Sequence, residues 1–268
     1  MVESPREGGA AESASLECDN LKVTLVGAAG AVDILRGVNF CVGKGEFVSI
    51  LGASGSGKTT LLRVLGGLQA SSGGEVRCDG VRVSGPPPGV VTVFQDYANS
   101  LLPWRSVRRN VALGIEASMS KADCDTRVDE ALAMVNLQAS ADEYPWRLSG
   151  GMQQRVQIAR ALAMNPSILL MDEPFGALDA MTKASLQDQL QQVQALTGTT
   201  IVFVTHDVEE AVYLSDRVLV LQQRPAAVGL ELLTPLSRPR DQMSTKESPD
   251  YLRLRHKVYE ALGHLVGQ

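Results

Sequence analysis

Phe47-Val48-Ser49-Ile50-Leu51-Gly52-Ala53-Ser54-Gly55-Ser56-Gly57-Lys58-Thr59 joins an apolar run, a glycine-rich turn and the start of a helical pattern without a break. The run is apolar on both faces, as a strand of a parallel sheet covered on both sides must be. The eight residues from Gly52 to Thr59 fit GxxxxGK[ST] and stand between a strand and a helix, where that pattern has a mechanism. Glycines let the backbone curl so that successive N–H groups face inward, and the helix N-terminus adds partial positive charge. Phosphate oxygens fit such a cavity. Gly52, Ala53, Ser54, Gly55, Ser56, Gly57, Lys58, Thr59 and Thr60 are therefore the candidate phosphate-binding residues. Lys58 can reach the β- and γ-phosphates of a nucleotide, and the Thr59 hydroxyl can ligate Mg²⁺. The alternative is a glycine-rich turn followed by a surface lysine.

Two more short apolar runs lie downstream, Ile168-Leu169-Leu170-Met171 and Ile201-Val202-Phe203-Val204, each bounded by polar or glycine-containing segments. Such runs, separated by helical stretches, predict an α/β core with a parallel sheet. Helices are expected over residues 58–68, 127–137 and 152–163, the last with Val156, Ala159, Leu162 and Ala163 at helical spacing and Pro166 beyond its end. Residues 96–157 hold no clear strand and read as a helical insertion, and the proline-rich stretch 84–89 reads as a loop. Ser248 and Pro249 mark a helix start, with Leu254, Val258, Leu262 and Leu265 as its apolar stripe, more suited to core packing than to a membrane. The expected organisation is a disordered tail over 1–15, one unit over 16–225 with the insertion inside it, and a C-terminal extension over 226–268.

Composition narrows the function classes. The formal net charge of -5 argues against neutralisation of nucleic-acid phosphates as the main task, so no nucleic-acid partner is expected. Cys18, Cys41, Cys78 and Cys124 are scattered without metal-ligand spacing and read as buried small hydrophobes. The first residues lack both the basic start and the apolar stretch of a secretory signal. Nothing approaches the roughly 20 apolar residues a spanning helix requires, so membrane association is expected through a partner.

Asp172 and Glu173 follow the second apolar run, at the end of a strand expected beside that of the phosphate loop. Alone, an Asp-Glu pair is a solvated turn. Beside a phosphate loop, Asp172 can hold the Mg²⁺ shell and Glu173 can orient and deprotonate an attacking water.

Just upstream stands Leu148-Ser149-Gly150-Gly151-Met152-Gln153-Gln154, and with it the chain resembles the ATP-binding-cassette family of ATPases. The resemblance covers nearly all of residues 16–220, with five motifs in the family's order. It implies a P-loop NTPase core with a mainly parallel sheet, an N-terminal antiparallel β portion and an inserted helical subdomain, with ATP and Mg²⁺ as cofactors. It also implies a head-to-tail pair with a second ATPase subunit, in which Ser149, Gly150 and Gly151 of one subunit cap the γ-phosphate held by the other. A Gly-Gly pair opening a helix does offer unpaired N–H groups to an anion, although the same residues make an ordinary helix cap. Gln95 matches the family's glutamine on Mg²⁺ and the attacking water, His206 its switch histidine, and Asp179 the residue that crosses the dimer interface. Asp179 also suits the N-cap of a helix beginning at Ala180. His256 and His264 read as surface residues. Leu25 stands where the family has an aromatic residue on adenine, which implies that the phosphates supply most of the binding energy.

Several stretches are similar to the ATPases of importers for nitrate, sulfonate, taurine and related small anions: Leu101-Leu102-Pro103-Trp104, the segments around 174–180 and 209–217, and Arg238-Pro239-Arg240. The resemblance implies peripheral placement at the cytoplasmic face of the plasma membrane. It also implies integral permease subunits docking near residues 96–104, and an extracytoplasmic solute-binding protein as an indirect partner. Local packing is the other reading of Leu101, Leu102 and Trp104. A cassette ATPase without a transporter, and a nucleotide-sensing scaffold, are the alternatives in function.

Overall fold

The computed structural model describes residues 14–27, 30–223 and 225–266. In chain order the elements begin β1 (Ala14–Gly27), β2 (Gly30–Gly43), β3 (Phe47–Leu51), α1 (Lys58–Leu65), β4 (Gly73–Cys78), β5 (Val81–Arg82) and β6 (Val90–Val93). Helices α2 (Tyr97–Ser100), α3 (Val107–Ala112), α4 (Lys121–Met134) and α5 (Gly150–Ala163) come next without an intervening strand. The chain then runs β7 (Ile168–Asp172), α6 (Ala180–Thr197), β8 (Thr200–Thr205), α7 (Val208–Leu214), β9 (Arg217–Leu221), β10 (Val228–Leu233), α8 (Ser244–Glu247) and α9 (Pro249–Val266).

Among the described residues the strands make two sheets. One has the order β2-β1-β4-β5 and is antiparallel throughout. The other has the order β10-β9-β3-β8-β7-β6 and is parallel except for β10 at its edge. The central strands are buried on both faces because alternate side chains serve two cores. Phe47, Leu51, Leu169, Met171, Ile201 and Phe203 face the layer formed by the helices after β6. Val48, Ile50, Ile168, Leu170, Val202 and Val204 face α1 and the antiparallel sheet.

The structure corrects several sequence expectations. β7 does not lie beside β3, because β8 pairs in parallel with both and separates them. Helix α1 stops at Leu65, short of 68: Gly66 and Gly67 come directly after it, Gly67 takes a φ of +67°, and a Cβ there would sit 2.1 Å from the Gly85 carbonyl oxygen. Helix α4 is longer than expected and begins after Ser120, whose hydroxyl accepts from the Asp123 N–H at 3.2 Å. Strand β1 begins at Ala14, and Ser15 is buried, so these residues belong to the sheet and not to a tail. Residues 1–13 of the expected tail lie outside the described residues. Cys18, Cys78 and Cys124 are buried, but Cys41 is exposed because the alternation along β2 turns Phe40 and Val42 inward.

The segment after residue 226 is joined to the rest at many points. β10 extends the large sheet through β9, and Ala226 bridges to Leu35. Arg240 is buried and its guanidinium donates to the carbonyls of Tyr213 and Ser215 at 2.8 and 2.9 Å. Ser248 opens α9 by accepting from the Tyr251 N–H at 3.2 Å. In the expected stripe Val258 is fully buried and Leu254 and Leu262 pack against the core; Leu265's side chain lies outside the description. Tyr251 extends this face beyond the expected stripe, three residues before Leu254. It is fully buried and its hydroxyl donates to the Glu209 carboxylate, which also pairs with Arg255 at 3.1 Å.

Tyr251 therefore anchors α9 to α7. Truncation in Tyr251→Ala should cost about 3 kcal/mol or more by analogy with buried aromatics, while Tyr251→Phe, losing only the hydroxyl bond, should cost about 1–2 kcal/mol. Urea unfolding of the two variants tests this, and equal midpoints for Tyr251→Ala and the native chain would remove the anchor.

Candidate functional site

The phosphate loop leaves the buried end of β3 and runs into α1. Gly57 takes a φ of +93°, a conformation strained for any residue with a side chain, and a Cβ there would crowd Ile34 Cγ2 at 3.0 Å. At Gly52 a Cβ would stand 2.7 Å from the Ser56 hydroxyl, which would have to turn away. The buried Lys58 side chain folds over this curl, its ammonium donating to the Gly52 and Ala53 carbonyls at 2.8 and 3.0 Å. Burial pushes the Lys58 ammonium below its usual range, against the opposing pull of Glu173 and Asp172. The Ser56 hydroxyl is buried without a hydrogen-bond partner among the described residues.

Register places the other groups. Val93 pairs with Met171 and Met171 with Phe203, so β6, β7 and β8 end level. Two residues further on each strand come Gln95, Glu173 and Thr205, with His206 next in the chain. Leu51 pairs with Thr205, which brings the start of the phosphate loop level with His206. Asp172 closes β7, nearly fully buried, and Thr59 hydrogen-bonds its carboxylate. Burial raises the Asp172 carboxyl above its ordinary range; the Thr59 bond and the Lys58 charge oppose it. Thr59 and Asp172 thus form the oxygen pair that could hold a hard cation.

Glu173 has a φ of +46°, a left-handed backbone unusual for a residue with a side chain. Its N–H is fixed by the Val204 carbonyl at 2.9 Å, and its carboxylate points across the strand ends. There the Gln95 amide donates to Oε2 at 3.2 Å, and His206 Nδ1 lies 3.0 Å from the same oxygen. Three residues singled out separately in the sequence thus meet at one atom. Thr59, Gln95 and Asp172 also line a cleft of about 880 Å³ that continues past Arg63 to Asn99.

Ser149, Gly150, Gly151 and Asp179 form a second group, apart from the Glu173 cluster. Ser149 caps α5, accepting from the Met152 N–H at 3.3 Å. Asp179 caps α6, accepting from the Thr182 N–H at 3.0 Å, and that bond holds its carboxyl below the usual range. The two caps are stitched together: Gln154 accepts from the Ala177 N–H at 3.2 Å, and a Cβ on Gly151 would lie 3.1 Å from Leu178.

Sequence reading missed the polar supports. Asn110 is fully buried and donates to the carbonyls of Leu102, Arg105 and Ser106, while Arg160 donates to Ser100 and Asn110. Together they fix a loop that buries Leu101 and leaves Trp104 71% exposed. Leu25 stands exposed on β1 opposite Val32. His256 is exposed beside Glu260, and the side chain of His264 is outside the description.

A curled glycine loop between a parallel strand and a helix, with an acidic pair ending a strand of the same sheet, defines a phosphate-loop nucleotide-binding protein. The chain belongs to the ABC transporter family, whose model matches residues 35–176. It is 44% identical over 240 residues to the nitrate transport protein NasD of Klebsiella oxytoca, covering 88% of this chain and 91% of that one. It is 45% identical over 232 residues to the nitrate import ATP-binding protein NrtC of Synechococcus elongatus, covering 85% of this chain. This chain spans only 35% of NrtC's length. A dimeric post-hydrolysis ATP-binding cassette bound to ADP and Pi superposes with a TM-score of 0.74 at 34% identity, over 82% of this chain and 98% of that one.

The backbone at Glu173 yields a test independent of activity. Because a left-handed position suits glycine, Glu173→Gly should be more stable than Glu173→Ala by about 1 kcal/mol, reversing the usual order. Denaturant midpoints of the two variants measure it, and a more stable alanine variant would remove the strain.

Proposed function

We propose that this chain is the ATP-hydrolysing subunit of an importer for a small anion, working as a head-to-tail pair beneath integral permease subunits. The observation that carries the reading is the meeting of Gln95, Glu173 and His206 at one carboxylate oxygen, level with the start of the phosphate loop. Family membership and the likeness to nitrate import and bicarbonate transport ATP-binding proteins support the anion. Among the described residues no helix is long and apolar enough to cross a membrane. Placement at the cytoplasmic face of the plasma membrane, held there by the permease, is part of the same proposal.

ATP fits the loop. The glycine curl, the inward Ser56 hydroxyl and the Lys58 ammonium make a cradle whose donors are suited to phosphate oxygens. On binding, Lys58 exchanges the Gly52 and Ala53 carbonyls for β- and γ-phosphate oxygens. Thr59, Asp172 and Gln95 would hold Mg²⁺, which when bound neutralises charge on the phosphates. Glu173 accepts the proton of a water as its oxygen bonds to the γ-phosphorus; the bond to the β,γ-bridging oxygen breaks, releasing ADP and phosphate. His206 holds Glu173 through Nδ1 and can offer its other ring nitrogen to the γ-phosphate. Ser149, Gly150 and Gly151 of a second copy close the site from the far side, and the Asp179 loop crosses the interface. Such a site is complete only when the pair is closed, so nucleotide favours closure. The surface around residues 96–104, where Trp104 is exposed above the Asn110 and Arg160 support, is the proposed permease contact.

Steady-state Mg-ATP hydrolysis in a protein-concentration series tests the reading. Turnover per subunit should rise with concentration and fall by orders of magnitude in Glu173→Gln, which should instead accumulate as an ATP-bound dimer; a Glu173→Gln chain hydrolysing at the native rate would end the assignment of the base. Restoring an aromatic residue with Leu25→Tyr should tighten ATP binding at least about fivefold, since base stacking contributes about 1–3 kcal/mol. Titration calorimetry reads this, and an unchanged affinity would mean that position 25 does not face the base.

A further inference from the structure

His206 stands in a turn between β8 and α7 with its side chain 61% exposed, and its ring meets the Glu173 carboxylate through Nδ1. The turn is held from behind. Thr205, just before His206, accepts from the Asp207 N–H at 3.0 Å and donates to Glu210 Oε2 at 2.6 Å. Asp207, just after it, caps α7 by accepting from the Glu209 N–H at 2.8 Å. One cation joins these groups: Lys183 Nζ lies 2.7 Å from Asp207 Oδ2 and 2.6 Å from Glu210 Oε1. The Glu210 side chain is 6% exposed, and those of Lys183 and Asp207 are 27% and 30% exposed.

A partly buried group of three charges is a poor way to add stability, because desolvation offsets most of the attraction. Its worth is geometric: the ammonium can satisfy both carboxylates only if the turn carrying His206 has one shape. Lys183 also lies in the first turn of α6, its N–H donating to the Asp179 carbonyl at 2.9 Å. The same helical turn that presents Asp179 thus grips the residues on either side of His206.

We propose that Lys183 is a positioning residue for His206, tying the histidine's turn to the Asp179 end of α6 so that a shift of one is transmitted to the other. This rests on the hydrolytic reading above for its consequence, though not for its geometry. Removing the ammonium breaks both ion pairs through which α6 holds the turn. Lys183→Arg keeps the charge and the reach.

The test combines two readouts on the full chain. The chain has three histidines, so their ring signals can be separated by NMR and His206 assigned with His206→Gln. Lys183→Met should shift the His206 ring signal while leaving that of His256 in place. It should also lower kcat by about ten- to a hundredfold, the scale of a displaced reacting group, with KM for ATP within about twofold. Lys183→Arg should return both to near the native values. An unmoved His206 signal in Lys183→Met would overturn the proposal, as would a kcat loss that Lys183→Arg does not relieve. A native chain without turnover would count against the hydrolytic reading alone, because the His206 signal would still decide the role of Lys183.

Discussion

Four parallel strands, β6, β7, β8 and β3, end level with one another, and the chemistry of the molecule depends on that alignment. Parallel pairing fixes register rigidly when both faces are buried, since a slip of one residue would turn every inward side chain to the wrong core. The hydrophobic alternation along Leu169, Met171, Ile201 and Phe203 on one face, and Leu170, Val202 and Val204 on the other, therefore does more than stabilise the sheet. It sets where Gln95, Glu173 and His206 emerge to within hydrogen-bond distance, and it does so from segments far apart in the chain.

Polar groups complete what the apolar cores begin. Glu173 adopts a strained backbone at the point where its strand ends, held by the Val204 carbonyl. Lys58 covers the loop carbonyls, Asn110 fills the inside of a bend with its donors, and Lys183 sits between two carboxylates. Each satisfies groups that burial would otherwise leave costly. Most of these supports lie one layer behind residues that would touch a nucleotide.

The division between what is legible in the sequence and what is not tracks the range of the interactions. The phosphate loop can be read because strand, glycines and lysine are contiguous, and the acidic pair because it ends an apolar run. Strand order cannot. The expectation that β7 lies beside β3 fails because pairing is a long-range choice, and nothing in residues 168–172 says that β8 intervenes. Lys183 is silent for a similar reason: a lone lysine on a polar helix face carries no signal until folding brings residues 205–210 against it. Tyr251 is within reach of pattern reading, standing at helical spacing ahead of Leu254 and Val258. Cys41 is too, since the alternation of β2 taken residue by residue turns it outward between Phe40 and Val42.

The sharing of one Glu173 oxygen by Gln95 and His206 has a mechanical meaning. Gln95 lies between the end of β6 and the start of α2, where the helical segment departs from the sheet, so it links that segment to the carboxylate. An oxygen already engaged by two side chains leaves an attacking water less room to approach than one facing solvent alone. Under the hydrolytic reading, turnover is then metered by the posture of the helical segment and not by nucleotide occupancy alone. An idle subunit can hold its fuel without burning it.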